Sequence, residues 1–181
     1  MKQLRLIRHA LPLVAAGVCY GRLDVRADPA HTANAAAQLA QALPQGLHVR
    51  CSTLQRCEQL ALELLRLRPD LTLKMDAHLV ECGFGTWEGQ RWDAIARAEL
   101  DAWAQHFAHY RPGHGESLSA MLRRVQKALN EMDGNEAWIT HAGVARCVQW
   151  LTTQPPGVLP ATAMQWDAPA PAFGAWITVP V

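Results

Sequence analysis

Residues 4–7 form a short, largely apolar run that ends directly in Arg8 and His9, with Pro12 close behind. The run predicts a buried strand, and a proline, having no N–H, stops the ladder from continuing. An arginine and a histidine therefore stand at the C-terminal tip of a strand, where the chain turns. In open α/β sheets that edge is where ligands bind. A guanidinium beside an imidazole suits a phosphate: the arginine holds its oxygens and the histidine attacks phosphorus. A plain surface turn can carry the same two residues, so the rest of the chain has to decide.

The pattern recurs. Short apolar strands are predicted at 47–51, 71–75 and 137–140, and helices at 30–43, 54–67, 92–107, 118–132 and 144–152. Ser52 and Thr53 are natural caps for the second helix, which puts Arg56 in its first turn, just past a strand tip. A helix N-terminus adds free N–H groups and positive dipole to the same spot. His141 also follows a strand and opens a helix. The tail is rich in proline and alanine, with strand-like pieces only at 164–166 and 175–179. Strands alternating with helices predict one α/β domain over residues 1–181, in three layers. Its sheet should be mostly parallel, of about six strands, with helices on both faces. In such a sheet Arg8, His9, Arg56 and His141 converge on one rim and form a pocket for a dianion.

Composition excludes several partners. A formal net charge of +1 on 181 residues gives no basis for nucleic-acid binding or for attraction to an anionic membrane. No apolar stretch approaches the length of a membrane span. The run behind Lys2 and Arg5 is too short for a signal peptide, so a cytoplasmic location is expected. The five cysteines are scattered without a CxxC pair, which argues for free thiols over disulfides or structural zinc. Cys82 lies near the proposed chemistry and reads either as a reactive thiol or as a small buried hydrophobe. No cluster of Asp and His ligands is visible, so neither metal nor cofactor is expected.

Two loops frame the rim. Residues 13–28 leave from the tip that carries His9, and Arg22 within them reads as a second cation for the ligand or as a solvated surface residue. Residues 79–89 combine two acids, three glycines, Phe84 and Trp87, which predicts an ordered loop. Glu81 and Glu88 are its candidates for a general acid, and either could instead brace the loop against backbone N–H groups. Tyr20, Trp87, Trp92 and Trp103 offer a stacking surface for a flat base, or simple packing. Arg111-Pro112-Gly113-His114-Gly115 reads as a flexible loop.

Taken in order, these segments resemble the histidine phosphatases, the family with the phosphoglycerate-mutase-like fold. Leu6-Ile7-Arg8-His9-Ala10 is similar to the family's Arg-His-Gly opening, and Ser52-Thr53-Leu54-Gln55-Arg56-Cys57 to its serine-to-arginine segment. Glu81 through Gly89 resembles its acidic loop, Gly115-Glu116-Ser117 its Gly-Glu-Ser turn, and Thr140-His141-Ala142-Gly143-Val144 its second histidine motif. The resemblance implies His9 as nucleophile, Glu81 as proton donor, and Arg8, Arg56 and His141 as phosphate ligands. His141 would also stabilise charge during the reaction. Within the family, Gly17 through Val25 looks most like the α-ribazole phosphatase branch, which makes Tyr20, Gly21 and Arg22 candidate substrate contacts. The chain departs from the family at Ala10, at Leu11-Pro12, and in lacking an asparagine often found a few residues on. One phosphate hydrogen bond is then lost or supplied elsewhere. The expected partner is a small phosphate ester. A broad small-molecule phosphatase, a mutase and a catalytically silent phospho-ligand module remain as alternatives. Oligomeric state is not legible.

Overall fold

A computed structural model describes residues 1–181. The strands are β1 (Gln3–Arg8), β2 (His48–Cys51), β3 (Thr72–Met75), β4 (Glu136–Thr140) and β5 (Trp176–Pro180). The helices are α1 (Pro29–Ala42), α2 (Gln55–Leu67), α3 (Arg97–Gln105), α4 (Leu118–Asn130) and α5 (Ala142–Thr153). The strands form one sheet in the order β3-β2-β4-β1-β5, parallel except for β5, which runs antiparallel to β1.

Alternation along the strands divides the core. Leu4 and Leu6 of β1 and Trp138 of β4 pack with Met121, Leu122 and Val125 of α4 and with Val144 and Val148 of α5. Ile7 of β1 and Ile139 of β4 face the other way, onto Ala36 and Leu39 of α1 and Leu60 and Leu64 of α2. The helix after β1 therefore lies on one face and the helix after β4 on the other. This is the geometry that opens a crevice at the C-terminal ends of two adjacent parallel strands. No helix is long and apolar enough to cross a membrane.

The sheet has five strands, not about six. Residues 163–165 form a 3-10 turn instead of a strand, with Met164 exposed. Both sheet edges are elsewhere, and Trp166 packs against Trp150 of α5, ring centroids 5.9 Å apart, so this segment has no strand to pair with. The helix expected over 92–107 is also broken, into a 3-10 turn (Trp92–Ala94) and α3. Ile95 is extended at the break and buries its side chain beside Cys19 and Trp87, an apolar contact a continuous helix would forgo. At α2 the N-cap is Leu54, without a side-chain cap. Asp24 of the 13–28 loop accepts from the Gln55 N–H at 2.8 Å instead. At the start of α1 a side-chain cap does form, with Asp28 accepting from the His31 N–H at 2.7 Å.

One buried charge sits away from the rim. Arg50 of β2 pairs with Asp76 and donates to the Ala128 carbonyl at 2.8 Å, both side chains of the pair being nearly inaccessible. Removing one partner leaves a buried charge without compensation. Asp76→Ala is expected to lower unfolding stability by about 3 kcal/mol. Urea denaturation at neutral pH is the check, and a change within error would mean that Glu131 and Glu136, 3.3 and 3.8 Å away, suffice.

Candidate active site

The β1–β4 ladder pairs Arg8 with Thr140, and the His9 N–H extends it by donating to the Thr140 carbonyl at 3.0 Å. His9 and His141 are thus the next residues on neighbouring strands, with ring centroids 5.1 Å apart. From β2, the Ser52 N–H donates to the Ile139 carbonyl at 3.0 Å and brings the start of α2 to the same rim.

His9 is almost wholly buried. Its Nδ1 lies 2.7 Å from the Ala10 carbonyl, which can only accept, so the ring proton sits on Nδ1. Nε2 is then a lone pair, and it accepts from Arg56 Nε at 3.3 Å. Burial first, then the Arg56 charge, pushes the His9 pKa down to about 3. The imidazole is neutral throughout the physiological range, in the tautomer a nucleophile needs.

Arg56 is itself fully buried. The chain of the 13–28 loop holds it, with Nη2 donating to the Gly21 carbonyl at 2.7 Å and Nη1 to the Leu23 carbonyl at 2.9 Å. Arg8 lies over the Phe173 ring at 3.8 Å and donates to the Pro171 carbonyl at 3.2 Å. Its Nε is buried without a partner, and burial lowers its pKa. His141 Nε2 is 2.8 Å from Ser52 Oγ, and that oxygen in turn accepts from the Leu54 N–H at 3.4 Å. The serine hydroxyl can donate to Nε2, which Cys57 Sγ also approaches at 3.4 Å, and in that arrangement the His141 proton is on Nδ1. That Nδ1 is buried and unpartnered. Burial, then Arg56 and His9, holds the His141 pKa well below the usual histidine range.

Glu81 reaches the site from the 79–89 loop. Its carboxylate accepts from the Cys82 N–H at 2.9 Å and from the Gly143 N–H at 3.1 Å, the latter at the start of α5. A Cβ on Gly143 would lie 2.2 Å from Glu81 Oε1, so only glycine leaves room for the carboxylate. A cleft of about 450 Å³ opens here, lined by Arg8, His9, Glu81 and Arg146 and walled by aromatic side chains, whereas Arg56 and His141 are fully buried and do not line it.

The other candidate residues divide. Tyr20 and Gly21 line the cleft, and a Cβ at Gly21 would meet the Cys82 carbonyl at 1.9 Å. Arg22 does not line it. Its guanidinium pairs with Glu116 at 3.1 Å and faces a neighbouring cavity, because the chain turns outward after Gly21. Glu88 accepts from the Arg22 and Phe84 N–H groups, both at 2.8 Å, and braces the loop. Trp92 and Trp103 wall the cleft, whereas Trp87 is buried with Cys19 and Ile95 and offers no stacking face. The Cys82 thiol is pushed up in pKa by burial and by Glu81, so the thiolate is disfavoured. The 111–115 loop is ordered, with Arg111 Nε donating to the Gly115 carbonyl at 2.7 Å. Sequence reasoning missed Phe173, Trp166 and Arg146, and the hydrogen bond from Ser52 to His141. The first two sit in a Pro/Ala-rich tail without periodicity, and Arg146 reads as an ordinary helix residue.

Residues 4–165 match the model of the histidine phosphatase superfamily (branch 1), and the chain belongs to that family. Its fold resembles that of a mycobacterial glucosyl-3-phosphoglycerate phosphatase, with TM-score 0.80 at 22% identity over 98% of this chain and 89% of that one. It is also similar to a phosphoglycerate mutase from Thermus thermophilus, with TM-score 0.73 at 27% identity over 98% and 92% of the two chains. Among curated proteins, none matches it significantly in sequence.

The neutral state of His9 is directly measurable. Nitrogen NMR should find one neutral tautomer, protonated on Nδ1, unchanged between pH 5 and 8 (about 3 for the folded pKa against 6.5 unfolded). Because the unfolded chain binds this proton more readily, stability should fall as pH drops below about 6.5 and level off near the folded pKa. Titration of His9 near its ordinary value would contradict the burial.

Proposed function

We propose that this protein is a phosphomonoester hydrolase that works through a phosphohistidine on His9. The observation that carries the reading is a pair of buried donors lacking protein partners, Arg8 Nε and His141 Nδ1, beside a neutral imidazole. Buried donors of this kind are normally satisfied, and a phosphoryl group would satisfy both. An arriving phosphoryl oxygen takes the Arg56 Nε–H, and the His9 Nε2 lone pair is freed to attack phosphorus in line. The P–O bond to the leaving alcohol breaks as P–N forms. Glu81, entering protonated, gives its proton to the alkoxide, then takes one from the water that cleaves P–N and releases inorganic phosphate. Arg8, Arg56 and His141 hold the equatorial oxygens as charge spreads over them. Arg146, which lines the cleft, is the available replacement for the phosphate contact that the missing asparagine would make.

For the substrate we favour α-ribazole 5′-phosphate. Beyond the phosphate end, Tyr20, Phe84, Trp92, Trp103, Phe107 and Trp166 wall the cleft, which suits a flat apolar base. Both structural relatives are named for phosphoglycerates, whose carboxylate would require a cation across the cleft. Beyond Arg8 the cleft offers only Arg146, which the phosphate itself would engage.

His9→Ala should abolish turnover, and an acid-labile phosphoenzyme should be trapped on the native protein. Wild-type turnover in the variant would remove the reading. Glu81→Gln should slow esters of poor leaving groups by about 10²–10⁴-fold and aryl phosphates far less. Gly143→Ala should reproduce that pattern by displacing the carboxylate. Equal losses on both ester types would strip Glu81 of its role as the acid. Phosphate release with chelator present, from α-ribazole 5′-phosphate beside common phosphomonoesters, tests the substrate. A strong preference in kcat/KM for the ribazole ester is expected, and flat activity across the panel would leave a broad phosphatase instead.

A further inference from the structure

A second cavity, of about 690 Å³, adjoins the His9 cleft across Glu116, which faces both. Arg22, Arg111, His114 and Arg123 line it, together with the backbone of Gly83, Gly85 and Gly115. Its only acids are Glu88 and Glu116. Both are engaged elsewhere. Glu88 accepts two backbone N–H groups, and Glu116 is held by Arg124 at 2.8 Å from behind as well as by Arg22. Arg111 donates to the Gly115 and His114 carbonyls at 2.7 and 3.1 Å, neutral acceptors that leave its charge uncompensated. Arg123 has no carboxylate within ion-pair distance. The cavity thus presents two solvent-exposed guanidiniums that lack an acidic partner.

The backbone gives an independent indication. His114 has φ of 61°, the only non-glycine residue in the left-handed region. Glycine would relieve that conformation, and the chain instead keeps a side chain with two ring nitrogens lining this cavity. The glycines opposite allow a ligand to approach the backbone closely.

We propose that this cavity binds a phosphorylated small molecule carrying at least two anionic groups, at a site separate from the His9 cleft. Two free guanidiniums call for more than one anionic group, and the volume exceeds what a single oxyanion fills. Arg22 donates to the Glu81 carbonyl at 3.4 Å, so a ligand held there bears on the loop that carries Glu81.

Calorimetric titration with methylenediphosphonate, a diphosphate mimic that resists hydrolysis, tests the assignment. The wild-type chain should show two binding events. Arg8→Ala should remove one. Arg123→Ala and Arg111→Ala should each weaken the other by about tenfold while leaving aryl phosphate turnover unchanged. A single event abolished by Arg8→Ala, or a second event indifferent to both Arg111→Ala and Arg123→Ala, would overturn the proposal. Because the readout is binding, it stands or falls apart from the phosphatase reading.

Discussion

The parallel pairing of β1 with β4 sets Arg8 opposite Thr140, and everything at the rim follows from that register. The next residue on each strand is a histidine, so the ladder alone brings His9 and His141 side by side. A slip of either strand by one residue would turn its core side chain, Leu6 or Trp138, away from the α4–α5 face and would separate the two rings. The hydrophobic division of the sheet therefore enforces the geometry of a polar site. Leu4 and Leu6 cannot leave one core, nor Ile7 the other, without exposing apolar surface.

Around that pair the dominant effect is desolvation. His9, Arg56 and His141 are all withdrawn from water, and each nearby charge disfavours protonation of the imidazoles. In such surroundings a lone cation is costly and an unpaired donor more so. The chain satisfies Arg56 with backbone carbonyls of the 13–28 loop and His141 Nε2 with Ser52. It leaves Arg8 Nε and His141 Nδ1 unanswered. His31 Nδ1, Arg50 Nε and Trp87 Nε1 are also unpartnered, and what sets Arg8 Nε and His141 Nδ1 apart is their place beside the neutral His9 ring.

The remote end of the cleft obeys different rules. Its walls come from the 79–89 loop, the broken 92–107 segment, the start of α4 and the tail, which touch only in three dimensions. The aromatic character of Trp92 and Trp103 was legible in the sequence, but not the fact that Trp87 turns inward while they line the cleft. Arg22 illustrates the same gap. It follows a cleft-lining glycine directly, yet one further residue of turn carries it to Glu116 and into another cavity.

What the sequence determined by itself was the local and periodic part: short strands, amphipathic helices, and polar residues at strand tips. Period and turn chemistry act over a few residues, and His9, Arg56 and His141 stand where that reading puts them. The Asp28 cap formed for the same reason. Tertiary structure decided whatever depends on a partner distant in sequence. Ser52 could cap α2 or hold His141, and the strand order chose the second. Residues 163–165 could not extend the sheet because no free edge lies beside them, and Phe173 became a lid on Arg8 only when β5 joined β1. Both outcomes are competitions between contacts far apart along the chain, and no local pattern records which contact is available.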